Sequence, residues 1–165
     1  MKSSITTMFR ATVLIMGLTW LPTAALAYTT AAVSEEDPPA TCDIGDAIYG
    51  ATCYGSYCDN TSLECAETNY PVSYRYWTSN FSEESPNYYR FCGANEIMTG
   101  ISCSGDSCDN VSIECSGISS TRSNCQWLGP FSEEQGFGYF GGKYASGMFC
   151  TGSNCDNHYY YVCNF

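Results

Sequence analysis

The chain has 165 residues, with 17 acidic and six basic side chains, a net charge of −11 and 12 cysteines. A surface of that sign repels phosphate backbones and anionic lipid, which argues against nucleic-acid and membrane-surface roles. Over residues 28–165 lysine occurs once and leucine twice, while tyrosine, threonine, serine and glycine predominate, a balance suited to strands and turns rather than helices.

Residues 1–27 read as a secretory signal peptide. Lys2 and Arg10 form a positive n-region, Ala11 to Thr23 is mostly apolar, and Ala25-Leu26-Ala27 supplies a small-x-small cleavage site. Thr12, Thr19, Pro22 and Thr23 interrupt the apolar run, so it is not read as a membrane span, and no later segment is apolar enough to insert. The mature chain is expected to be exported and to begin at Tyr28. Over residues 28–165 only Arg75, Arg90, Arg122 and Lys143 oppose the 17 acidic groups, a net charge of −13. Such acidity keeps a secreted protein soluble; as a recognition signal it would favour a cationic or neutral partner.

All 12 cysteines lie in this exported part, an even number that reads as a disulfide framework. Their spacing repeats. Cys42, Cys53, Cys58 and Cys65 recur fifty positions on as Cys92, Cys103, Cys108 and Cys115, and Trp77, Phe81, Glu83 and Glu84 recur as Trp127, Phe131, Glu133 and Glu134. Cys150, Cys155 and Cys163 mark a third copy, and "VSEEDPP" at 33–39 stands where the first copy needs the counterpart of "FSEE". One domain of three repeats is expected, 28–70, 71–120 and 121–165, none large enough to bury a core alone.

Within each repeat the pattern is that of strands. "EIMTGISC" and "NVSIEC" alternate with period two, and C-x-G-x-x-C between them reads as a tight hairpin end. One additional residue between Cys155 and Cys163 predicts a bulge in the third copy. The four-residue gap at each hairpin end suits short bridges, Cys53–Cys58, Cys103–Cys108 and Cys150–Cys155. The outer cysteines suggest Cys42–Cys65 and Cys92–Cys115. In the third copy Tyr139 stands where the outer cysteine should be, and Cys125–Cys163 completes the set, although connectivity is not strictly deducible from spacing.

Three sequential cysteine-bearing β-units, with "GISCSGDSCDNVSIEC" at 100–115, resemble the vitelline membrane outer layer protein I family. The acidic "D-D-T-A-L-N" run of that family is replaced here by "CDNVS". The resemblance implies an all-β, β-prism-like fold of three sheets, and it hints at carbohydrate contact. A β-trefoil is the alternative architecture.

Two recurrent polar motifs invite a functional reading. The pairs Asp59-Asn60, Asp109-Asn110 and Asp156-Asn157 either bond the turn that launches the last strand, or face sugar hydroxyls or a calcium ion; no other cofactor is implied. Recurrence favours the first, since fold residues must recur and ligand residues need not. The Glu-Glu pairs at 35–36, 83–84 and 133–134 could supply glycosidase carboxylates only if different copies meet at the centre. His158, the single histidine, has no nucleophile motif around it and reads as a strand residue. A zinc site is not expected in an oxidised chain with one histidine. No catalytic residue is assigned.

Aromatic residues make the better case for binding. Tyr54, Tyr57, Tyr88, Tyr89 and the run Tyr159 to Tyr161 lie near turns or at the chain end, and stacking on sugar faces is their natural use. Trp77 and Trp127, at equivalent repeat positions, are read as core. The expected function is a secreted lectin-like protein that binds an extracellular glycan or glycoprotein, with Tyr54, Tyr57, Tyr159, Tyr160 and the three Asp-Asn turns as contacts. The alternative is a secreted inhibitor or toxin component directed at a protein; a small glycan hydrolase is the third reading.

Overall fold

The computed structural model describes residues 27–86 and 88–165. The signal-peptide reading concerns residues 1–27 and so falls almost wholly outside the described residues. Each repeat supplies four strands. The first contains β1 (Tyr28–Thr29), β2 (Ala40–Thr41), β3 (Asp46–Tyr54) and β4 (Asn60–Glu67). The second contains β5 (Val72–Trp77), β6 (Tyr89–Phe91), β7 (Glu96–Ser104) and β8 (Asn110–Ile118). The third contains β9 (Ser123–Phe131), β10 (Phe137–Tyr139), β11 (Tyr144–Thr151) and β12 (Asn157–Asn164).

These strands form three separate four-stranded antiparallel sheets, in the orders β1-β4-β3-β10, β2-β7-β8-β5 and β6-β11-β12-β9. Three strands of every repeat stay in their own sheet, and the second strand is lent onward. The first repeat lends β2 to the second sheet, the second lends β6 to the third, and the third returns β10 to the first, so the exchange closes on itself. Among the described residues no ladder runs from one sheet to another, which removes the trefoil alternative, whose repeats share a barrel.

The loan is possible because Gly50, Gly100 and Gly147 sit under the incoming strands. A Cβ on Gly147 would lie 2.8 Å from the Arg90 carbonyl oxygen and 2.5 Å from the Phe91 ring, so only glycine permits this approach. All three hairpins step register just before that glycine. These bulges turn the flanking side chains toward a common core in which Ile48, Met98 and Ala145, then Ala51, Ile101 and Met148, then Leu63, Ile113 and Tyr160 take equivalent places.

Six disulfides join Cys42–Cys65, Cys53–Cys58, Cys92–Cys115, Cys103–Cys108, Cys125–Cys163 and Cys150–Cys155. The outer bridges work across sheets. The Cys42 amide donates to the Thr99 carbonyl in the second sheet, while its sulfur holds Cys65 in the first; Cys92 likewise donates to Ser146 and bonds Cys115. In the third repeat the residue donating at that point is Phe140, to the Tyr49 carbonyl, and Val162 takes the place of Cys65 and Cys115. The vacant cysteine position is therefore Phe140, one residue beyond Tyr139, and an apolar pair in the core stands in for the bridge.

Candidate functional site

The two recurrent polar motifs meet at one end of the molecule. Each C-x-G-x-x-C segment closes as a short 3-10 turn, Ser56–Cys58, Asp106–Cys108 or Ser153–Cys155, whose middle residue is left-handed: Tyr57 (φ 61°), Ser107 (φ 53°) and Asn154 (φ 56°). The aspartate that follows folds its carboxylate back over the turn and accepts the neighbouring amide, Asn60 to Asp59 at 2.6 Å and Asn110 to Asp109 at 2.5 Å, with Asn157 to Asp156 alike. The three turns then touch in a cycle. Cys58 Sγ lies 2.9 Å from the Asp156 carbonyl oxygen, Cys108 Sγ 3.2 Å from that of Asp59, and Cys155 Sγ 3.5 Å from that of Asp109.

The first glutamate of each S-E-E motif reaches the turn of the next repeat, and in two of the three it bonds a backbone N–H there. Glu133 accepts the Tyr57 N–H at 2.7 Å, Glu83 accepts the Asn154 N–H at 2.8 Å, and Glu35 stands 3.9 Å from Cys108 Sγ. A left-handed residue turns its N–H out of the local hydrogen-bond pattern, and the carboxylate satisfies it. The Asp-Asn pairs thus bond within themselves, while Glu83 and Glu133 bond the backbone of the turns, a framework role that accounts for the recurrence of these residues. Replacing Glu133 with alanine is expected to cost about 1–2 kcal/mol in urea unfolding, as befits a charge-assisted bond at a partly exposed place. An unchanged midpoint would remove the interlock.

Two groups of possible metal ligands converge among the described residues, Glu35 with Cys103 and Cys108, and Glu83 with Cys150 and Cys155. In both, two of the three members are the halves of one disulfide, whose sulfurs carry no thiolate for a metal.

The aromatic residues divide differently. Tyr54 and Tyr57 are exposed on the first turn, where the other turns carry Ser104 with Ser107 and Thr151 with Asn154. Tyr160 has no accessible surface and occupies the core place of Ile113, so it cannot touch a ligand in the folded state. Alternation along β12 explains this: His158, Tyr160 and Val162 point inward, while Tyr159 and Tyr161 point outward. Trp77 and Trp127 are 38% and 39% exposed, not core, because each lies on an outer strand of its sheet, paired with Glu114 or Tyr161.

The outward face of the third sheet differs from the other two at three central positions. Ladder register places Thr52, Ser62 and Glu64 on the first sheet and Ser102, Ser112 and Glu114 on the second where the third has Phe149, Tyr159 and Tyr161. Phe149 and Tyr159 stack at 4.3 Å with rings 4° apart, and Trp127 meets Phe149 edge-on at 4.6 Å. The lent strand adds Tyr89 and Phe91, preceded by Tyr88, and Phe91 packs on Trp127 and Tyr161 at 5.4 and 5.1 Å. Tyr88, Tyr89, Phe91, Trp127 and Phe149 line a recess of about 260 Å³.

Arg122 fixes this face from the side. It donates to the Cys92 carbonyl at 2.9 Å and to Ser146 Oγ at 3.0 Å, with its guanidinium 6.0 Å from the Phe91 ring centre and 5.7 Å from that of Tyr161. Sequence reading reached Tyr88, Tyr89 and Tyr159 but missed Phe91, Trp127 and Phe149. The signal lies in aligning the third repeat at an offset of 47, Cys103 on Cys150, which sets Phe149 against Ser102. Comparison with protein-family models, curated proteins and solved structures finds no match for this chain.

Proposed function

We propose that the chain is a secreted, lectin-like binding protein whose contact surface is the aromatic face of the third sheet. One observation carries the reading: three outward positions that are Thr, Ser and Glu, or Ser, Ser and Glu, in two repeats are Phe, Tyr and Tyr in the third. The fold tolerates polar residues at these sites, so the aromatic set is not needed for folding. Tyr88, Tyr89, Phe91 and Trp127 remain 39% to 44% exposed, and leaving so much apolar surface in water is unfavourable without a ligand to cover it.

Aromatic faces on a rigid sheet suit the apolar faces of sugar rings, and tyrosine hydroxyls and the indole N–H suit their polar edges. Export agrees with six disulfides, which persist in an oxidising environment, and no helix among the described residues is long and apolar enough to cross a membrane. The recurrent Asp-Asn turns become the frame, and Tyr54 and Tyr57 a separate feature of the first turn.

The test is a glycan and cell-wall polysaccharide array, read with the native protein and with a variant carrying Phe149→Ser, Tyr159→Ser and Tyr161→Glu, the residues of the second repeat. The variant is expected to keep its melting temperature and lose array binding. Trp127→Ala alone should cost about 2 kcal/mol, roughly 30-fold in affinity, as for a central aromatic anchor. Array binding that survives the triple change but falls with Tyr54→Ala would move the site to the first turn. A blank array from folded protein would shift the reading to a protein target, as for an inhibitor or toxin component.

A further inference from the structure

The five side chains lining the recess form a closed circuit. Successive ring centres lie 5.7 Å apart from Tyr88 to Tyr89, 5.4 Å from Tyr89 to Phe91 and 5.4 Å from Phe91 to Trp127. The circuit closes with 4.6 Å from Trp127 to Phe149 and 5.9 Å from Phe149 back to Tyr88. Five rings evenly spaced at such distances would stand about 4.6 Å from their common centre, inside the ~6 Å within which a cation is attracted to a ring. At about 260 Å³ the recess takes one headgroup rather than an extended ligand.

From this we infer that the recess is an aromatic cage for a quaternary ammonium group of the choline type, carried by the glycan that the proposed function assigns to this face; the inference rests on that reading. A sugar ring needs one or two aromatic platforms, and a circuit of five exceeds that need. A methylated ammonium ion has no N–H to satisfy and presents a positively charged apolar shell, which a circuit of aromatic rings can meet around its circumference.

The charge of the molecule points the same way. Over residues 28–165 the net charge of −13 draws cations and repels anionic carriers. Glu83, whose carboxylate accepts the Asn154 N–H, stands on the far side of one wall of the recess. It lines the adjoining recess of about 370 Å³, together with Tyr88, Cys150, Thr151 and Gly152, so the two recesses share the Tyr88 wall. The nearest cations are turned to other work. Arg122 is bonded to Cys92 and Ser146 and does not line the recess, and Arg90 bonds Ser79, Asn80 and the Tyr89 carbonyl with its guanidinium 5.7 Å from the Phe81 ring.

The experiment compares choline chloride with 3,3-dimethylbutan-1-ol, its uncharged isostere, by tryptophan fluorescence and calorimetric titration of the oxidised protein. Choline is expected to bind at millimolar affinity, at least about tenfold more tightly than the alcohol. Trp127→Ala and Phe149→Ser should abolish binding. Glu83→Gln keeps an acceptor for the Asn154 N–H and should weaken choline about threefold while leaving the alcohol unchanged. Equal binding of choline and the alcohol would overturn the cage, as would choline binding that survives Trp127→Ala. No response to choline alongside Trp127-dependent glycan binding would overturn the cage and leave the lectin reading standing. Choline binding with a blank glycan array, including choline-substituted glycans, would keep the cage and overturn the glycan. Phosphatidylcholine vesicles that bind as tightly as a choline-substituted glycan would overturn the glycan as the carrier.

Discussion

Gly105→Ala is expected to destabilise the protein by about 3–4 kcal/mol, a large part of the stability of a domain this size. Gly105 has φ 82° and ψ −179°, a backbone region nearly reserved for glycine, and strain there alone costs about 1–3 kcal/mol. The added methyl would also stand 1.9 Å from Asp109 Oδ1, so the carboxylate must leave and its bond from Asn110 is lost. The two costs separate in a double-mutant cycle. Asp109→Ala alone should cost about 1 kcal/mol, and the double variant should cost about 1–2 kcal/mol less than the sum, because the collision is gone and only the strain remains. Urea midpoints with the disulfides intact give the answer. Strict additivity would mean that the aspartate does not lie over the glycine, and the structural account of the Asp-Asn motif would fall. Gly55 and Gly152 have the same geometry, with φ 79° and 85°, so the prediction extends to every turn of the ring.

The same turn shows why part of this fold was legible in the sequence. A C-x-G-x-x-C hairpin is closed by residues five apart, and its strands alternate visibly, so hairpins and short bridges follow from local pattern. The lent strands were hidden for the opposite reason. Ala40–Thr41, Tyr89–Phe91 and Phe137–Tyr139 are two or three residues long, too short for a period to register, and each pairs with another repeat. That exchange also moved the vacant cysteine position from Tyr139 to Phe140. The aromatic face was obscured by an arithmetic feature of the chain. The offset of 50 that aligns the first two repeats sets Phe149 against Thr99, which is buried, rather than against Ser102, which is partly exposed. The offset of 47 that superposes Cys150 on Cys103 corrects this, and the ladder, with its bulges at equivalent glycines, agrees that Phe149, Tyr159 and Tyr161 stand on positions that are polar elsewhere. Recurrence therefore identified the frame, and departure from recurrence identified the face that the frame presents.

His158 departs from recurrence on the inward side, and its consequence should be visible in acid. It pairs with Cys150 at the ladder position that Thr61 and Val111 hold in the other repeats, and it is 3% exposed. Neither ring nitrogen has a hydrogen-bond partner among the described residues, and burial lowers its pKa from the ordinary 6.5 to about 4. The imidazole is neutral in the folded protein at pH 7. As pH falls below 6.5 the unfolded chain takes up a proton that the folded chain refuses until about pH 4, so stability is present above 6.5 and drains away across that interval. A shift of this size corresponds to about 3 kcal/mol. His158→Val, the residue of the second repeat, should abolish that contribution and also gain about 1–3 kcal/mol at pH 7 by removing unpaired buried nitrogens. Carboxylates titrate nearby as well; Glu96, for one, is held below its usual range against the effect of burial by the Gly93 amide, the hydroxyls of Tyr76 and Tyr74, and the charge of Arg122. The informative quantity is therefore the difference between the stability–pH curves of the native protein and the valine variant, measured by urea unfolding from pH 7.5 to 4. It should widen steadily as pH falls through 6.5. A difference that stays constant would show that the imidazole finds solvent or a partner in the fold and is not held neutral by burial.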